Sequence, residues 1–144
     1  MGAIFMLVSC KTLEVPLKEN LIISMERTEC PDACPVYTLE VYNNGIVLLT
    51  GKEHIEKIGT YISQIPKSDI TNMVNIFNEY GFFDFKEKYY SNVSDLPTTH
   101  IYFSDQGREK KIMDYDGAPE ELKYLESRVS QLLSLSWKRV QDTN

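Results

Sequence analysis

Val36-Tyr-Thr-Leu-Glu-Val-Tyr42-Asn-Asn-Gly45-Ile46-Val-Leu-Leu-Thr50 is the stretch that decides the architecture of this chain. Tyr37, Leu39 and Val41 alternate with Thr38, Glu40 and Tyr42, the period of a strand with two unlike faces. Asn44-Gly45 separates that strand from a second apolar run, and Asn-Gly between two such runs marks a hairpin because both residues tolerate the positive φ of a type I′ turn. Antiparallel pairing therefore starts here.

Working outward, Leu21-Ile-Ile-Ser-Met-Glu-Arg-Thr28 alternates in the same way and reads as the first strand. Residues 54–62 read as a further, less regular extended piece. Residues 98–104 and 109–115 read as two more strands, joined by the turn Asp105-Gln-Gly107. Between these groups, Ile70, Met73, Val74, Phe77 and Tyr80 recur at spacings of three and four, predicting a helix over 69–80 capped by Ser68 and closed by Gly81. Pro119 opens a second helix with the stripe Leu122, Leu125, Val129, Leu132 and Leu133.

This order of hairpins and helices, without strand–helix–strand alternation, predicts an α+β fold: a two-layer sandwich with a mainly antiparallel sheet of five to six strands and two helices on one face. Leu39, Val41, Ile101 and Phe103 are expected to face the helices. Thr38, Glu40, Tyr42, His100 and Tyr102 then face the other way, onto a side expected to be open to solvent. Tyr42, His100 and Tyr102 are the candidate binding face, since large rings with a wet hydroxyl are favoured anchors in interfaces.

The chain has 144 residues, the size of one domain with a substantial core. The sequence divides it into a signal segment over 1–9, a tether over 10–20, one domain over 21–137 and a tail over 138–144. Its formal net charge is −6, which repels phosphate backbones and argues against a nucleic-acid partner.

Three cysteines carry the argument about compartment. Cys30 and Cys34 lie in Thr28-Glu-Cys-Pro-Asp-Ala-Cys-Pro-Val-Tyr37, a proline-rich loop in which three intervening residues allow the close Cα approach a disulfide needs. Leu7-Val8-Ser9-Cys10 resembles the lipobox of bacterial lipoproteins, which makes Cys10 the expected lipidation site and residues 11–20 a polar tether. No Lys or Arg precedes Cys10, so the basic leading region of a signal segment is expected upstream of Met1. An oxidised loop and a lipidated cysteine together place the chain in the bacterial cell envelope, on the periplasmic or cell-surface side; a cytoplasmic protein with an apolar start is the alternative.

Arg27-Thr-Glu-Cys-Pro-Asp-Ala-Cys-Pro-Val-Tyr37 and the hairpin after it, with Gly51 and Gly59, resemble an uncharacterised family of bacterial envelope lipoproteins marked by R-T-x-C-x3-C-P-x-Y. The likeness continues through Tyr89, Asp95-Leu-Pro-Thr98 and the Pro119 helix. It implies the fold and an envelope location, and no reaction.

No catalytic set stands out. C-x3-C between strands is unlike the C-x-x-C at a helix start that lowers a thiol pKa. His54 and His100 lack ligand spacing for zinc. Asp114-Tyr-Asp116-Gly117 has Ile112 and Lys123 where a calcium loop needs ligands, and reads as a turn. No metal and no cofactor is expected. The residues favour a non-catalytic binding module for an envelope protein, glycan or small ligand, touching the membrane only through its lipid. The alternative is an enzyme whose residues meet only in the fold, with thiol-redox or hydrolytic chemistry foremost.

Overall fold

The computed structural model describes residues 2–5 and 12–141. Its strands are β1 (Leu21–Arg27), β2 (Val36–Tyr42), β3 (Ile46–Glu53), β4 (Gly59–Gln64), β5 (Lys88–Tyr89), β6 (Thr99–Asp105), β7 (Arg108–Asp114) and β8 (Lys138–Arg139). Helix α1 (Lys67–Glu79) follows β4, and α2 (Glu120–Ser130) follows β7. All strands join one sheet in the order β5-β7-β6-β1-β2-β3-β4-β8. The fold is α+β with two helices, as expected, but the sheet has eight strands rather than five to six and is mixed, because β5 pairs β7 in parallel. The additional strands, β5 and β8, are two residues long and lie at the edges, where short strands leave little backbone for a second chain to pair with.

Both helices cover one face. Ile70, Met73 and Phe77 of α1 and Leu122, Leu125 and Val129 of α2 share a single buried cluster with Ile23, Met25, Leu39, Val41, Leu49, Ile101, Phe103 and Ile112. Phe82, in a 3-10 turn after α1, is wedged between Phe77 and Phe103 with ring centroids 5.3 and 5.6 Å away. Tyr80, expected in the core stripe, instead stacks on Tyr124 at the surface, the centroids 4.8 Å apart.

Local details depart from expectation for identifiable reasons. The first hairpin has only Gly45 at positive φ (87°), so Asn43-Asn44-Gly45 is a three-residue connection rather than a type I′ turn. The turn with two successive positive φ values is Gln106-Gly107, at 49° and 78°. Helix α1 starts from Pro66, and Ser68 lies inside it without serving as a side-chain cap. Gly81 takes the left-handed conformation expected of it, φ 70°. Leu132 and Leu133 belong to a 3-10 turn after α2 and are half-buried.

Candidate functional site

The sheet register lines up one transverse row at an end of the sandwich. Tyr37 on β2 faces Arg27 on β1, Arg27 faces Thr99 on β6, and Thr99 faces Asp114 on β7. Strand alternation puts this row on the same side as Leu39, Met25, Ile101 and Ile112, beneath the helices. The apolar layer therefore ends in a polar rung. Helix α2 supplies the other half: Glu126 shares the stripe of Leu122, Leu125 and Val129 and is 2 % exposed, as is Asp114. Lys123, three residues before Glu126, reaches in from solvent, its Nζ 2.5 Å from Asp114 Oδ2 and 3.7 Å from Glu126 Oε2.

Two carboxyls side by side in the interior cannot both ionise cheaply. Burial, then the hydrogen bond with Asp114 and the charge of Asp114, push Glu126 up to about 8, against the pull of Lys123 and Arg27. A value near 8 keeps the proton on Glu126 at neutral pH, beside Asp114. Burial is the largest single influence on the Lys123 ammonium and works against it, but the hydrogen bond to Asp114 together with the charges of Glu126 and Asp114 outweighs burial and holds its pKa above the ordinary value. Burial also raises the Tyr37 hydroxyl, with nearby Arg27 opposing. Asp114 Oδ1, Glu126 Oε1 and Arg27 Nε are buried without a protein hydrogen-bond partner, each an expense in stability of about 1–3 kcal/mol where nothing polar reaches it.

A protonated acid beside a carboxylate and an ammonium is the equipment of proton transfer. Both carboxyls are 2 % exposed, with Lys123 set against them from the solvent side. Among the described residues no group of three or more His, Cys, Asp or Glu is placed to hold a metal ion. The cluster fastens α2 to the sheet. Sequence reading singled out none of Asp114, Glu126 or Lys123 as a site residue. The available signals were an acid at an inward strand position two after Ile112, and an acid at an inward helix position between Leu125 and Val129.

Next to this rung lies the cysteine loop. Cys30 and Cys34 form a disulfide with Cα atoms 5.5 Å apart, and the Cys34 N–H donates to Cys30 Sγ at 3.2 Å. Thr28 ties the loop to the start of β6: its N–H donates to the Thr98 carbonyl at 3.0 Å, and its Oγ1 accepts from the Thr98 N–H at 2.9 Å. The bridge spans a strand-to-strand connection, with no helix start beside it to stabilise a thiolate.

The face away from the helices carries the residues singled out from sequence, and the structure divides them. His100 pairs with Glu26 and Tyr102 with Ser24, both half-buried, and the Tyr102 hydroxyl donates to Glu109 Oε2 at 2.9 Å. Thr38 and Glu40 lie beside them on β2. Tyr42 does not share that surface. It is 1 % exposed and packs with Ile46, Leu48 and Ile62, with Leu21 and Val140 against them. Burial and the adjacent Glu40 carboxylate push its hydroxyl up to about 12. The expected open face thus has a polar, accessible end around Tyr102 and an apolar, covered end around Tyr42. Cys10 lies outside the described residues.

Residues 21–133 match a domain of unknown function, DUF6438. The match contains the cysteine loop and the whole buried rung, and stops short of β8. No curated protein and no solved structure matches the chain.

Proposed function

The chain belongs to the DUF6438 family, a domain of unknown function, and from that premise we propose that it is a non-catalytic binding module of the bacterial cell envelope. In this reading it is anchored by lipid at Cys10 and offers the polar end of its second sheet face to an envelope protein, glycan or small ligand. The observation that carries the reading is that face: Glu26, Thr38, Glu40, His100 and Tyr102 stand on adjacent strands on the side that neither helix covers. A half-buried tyrosine and histidine among acidic and hydroxyl side chains supply ring area and hydrogen-bonding groups together, the mixture that serves interface anchors.

Two further features support the location. The Cys30–Cys34 bridge belongs to an oxidising compartment. Leu7-Val8-Ser9-Cys10 has the pattern of a lipidation site, and no described helix is long and apolar enough to cross a membrane, so a lipid would be the means of attachment.

The test joins fractionation to co-purification. The native gene product should sediment with membranes and its Cys10→Ala form should not. Partners recovered from native envelopes should be lost on His100→Thr with Tyr102→Thr while the unfolding midpoint barely moves. Partners retained by that double variant would show that binding, if any, uses another surface.

A further inference from the structure

The two helices lie antiparallel. Tyr80, at the end of α1, stacks on Tyr124 in the first half of α2, while the first turns of α1 meet the end of α2 and the 3-10 turn after it. At that second meeting point lies a cleft of about 310 Å3. Its floor is apolar: Ile65 and Met73 are buried, and Leu132 is half-buried. The helix layer carries this cleft, so it is separated by the sheet from the polar face around Tyr102.

The walls carry opposite charges. Asp69 precedes Met73 by four residues and Arg128 precedes Leu132 by four, so each charged side chain stands about one turn from a floor residue. The two do not neutralise each other, since the salt bridges among the described residues involve only Lys57 and Lys123 as cations. Asp69 is exposed and Arg128 is half-buried. Arg128 Nη1 donates to Gln131 Oε1 at 3.3 Å, and its Nε is buried without a protein partner. The cleft is thus lined by a partly desolvated guanidinium whose protein partner is a neutral amide, the setting in which a carboxylate binds best. A ligand with one charge would suit one wall and oppose the other, whereas a zwitterion answers both.

We propose that this cleft binds a free α-amino acid with an apolar side chain of medium size. The α-carboxylate lies against Arg128, the α-ammonium against Asp69, and the side chain over Ile65, Met73 and Leu132. The volume is at the small end of ligand pockets, which suits one amino acid. Each methylene laid on the floor should raise affinity by up to about fourfold.

The experiment titrates the full-length protein with L-leucine and with two analogues that each lack one charge, isoamylamine and 4-methylpentanoate. Calorimetry gives the affinities and amide shifts locate the site. Saturable one-to-one binding of leucine is expected, with shifts centred on Met73 and Leu132, and with L-alanine and both analogues at least about tenfold weaker. Arg128→Gln should weaken leucine and 4-methylpentanoate and leave isoamylamine unchanged. Asp69→Asn should weaken leucine and isoamylamine and leave 4-methylpentanoate unchanged. The analogue series on the unaltered protein decides the matter even where a variant proves unstable. No saturable binding of leucine up to about 10 mM, an analogue or alanine that binds as tightly as leucine, or shifts centred away from the cleft overturns the proposal. Its failure leaves the binding face around Tyr102 untouched, because the two lie on opposite sides of the sheet.

Discussion

Glu126→Gln isolates the buried rung. Folded Glu126 titrates at about 8 against 4.5 for an unperturbed glutamate, through burial first and Asp114 second. Between those values the folded chain holds a proton that the unfolded chain has released. The sign follows: this contribution is complete below about 4.5, declines as pH rises, and is gone above about 8. Its slope is at most about 1.4 kcal/mol per pH unit, so the ceiling across the window is on the order of 4–5 kcal/mol. The value of about 8 already contains the pull of Lys123 and Arg27 on the ionised form; relaxation and water entry around an ionised Glu126 reduce the penalty further, and about 2 kcal/mol is the expected loss. Glutamine keeps the shape and an N–H to donate to Asp114, but does not titrate. Urea unfolding from pH 5 to 8.5 would compare wild type, Glu126→Gln and, as a control, Glu121→Gln on the exposed side of α2. Lys123 and Tyr37 have pKa values raised from 10.5 and 10.0 and stay outside this window. The stability difference between wild type and Glu126→Gln should shift by about 2 kcal/mol in favour of the variant towards alkaline pH. Parallel curves would refute the placement of the proton on Glu126.

Three other outcomes follow from the geometry. Material from native envelopes should resist thiol alkylation at Cys30 and Cys34, and replacing both by serine should lower stability by roughly 2 kcal/mol; free thiols at both positions would contradict the bridge. Tyr42→Thr should cost about 3 kcal/mol or more and Tyr102→Thr about 1 kcal/mol or less, as read from urea midpoints; the reverse order would mean that the two ends of the second face are assigned the wrong way round. Gly51→Ala should destabilise by about 3 kcal/mol, because a Cβ there collides with the Lys57 carbonyl oxygen across the β3–β4 connection, and a neutral result would show that this connection moves aside.

Elements whose side chains repeat were legible from the sequence, and elements held only by their neighbours were not. β1, β2, β6 and β7 each alternate between the helix-covered side and the other, so their facing could be read directly. β5 and β8 carry no period in two residues; they exist because β7 and β4 expose backbone groups for Lys88–Tyr89 and Lys138–Arg139 to pair with. The strand expected over 54–62 begins only at Gly59, since His54 at φ 52° turns the chain away and Gly59 at φ 103° brings it back. Tyr42 misled for a similar reason. Alternation gives the side of the sheet correctly, but burial on that side depends on what lies above it, here an apolar patch closed by Val140 from beyond β4.

The cysteine motif can now be accounted for beyond its bridge. Arg27 and Tyr37 stand at its two ends, and antiparallel pairing across the loop makes them register partners. A short bridged connection between β1 and β2 therefore does more than staple a loop: it sets two polar side chains next to each other under the helices. Thr28, bound twice to Thr98, extends the same alignment to β6, and through Thr99 to Asp114. The motif's polar ends thus belong to the rung that Glu126 and Lys123 close from α2, roughly a hundred residues later in the chain. A buried acid pair is a weak source of stability compared with apolar packing, but it penalises any docking of α2 that leaves the acids apart. Shifting α2 by one residue would carry Glu126 out of the stripe it shares with Leu125 and Val129 and leave Asp114 buried without Lys123. The motif and the helix hence specify one another, and this coupling explains why a loop of two cysteines is framed by an arginine and a tyrosine.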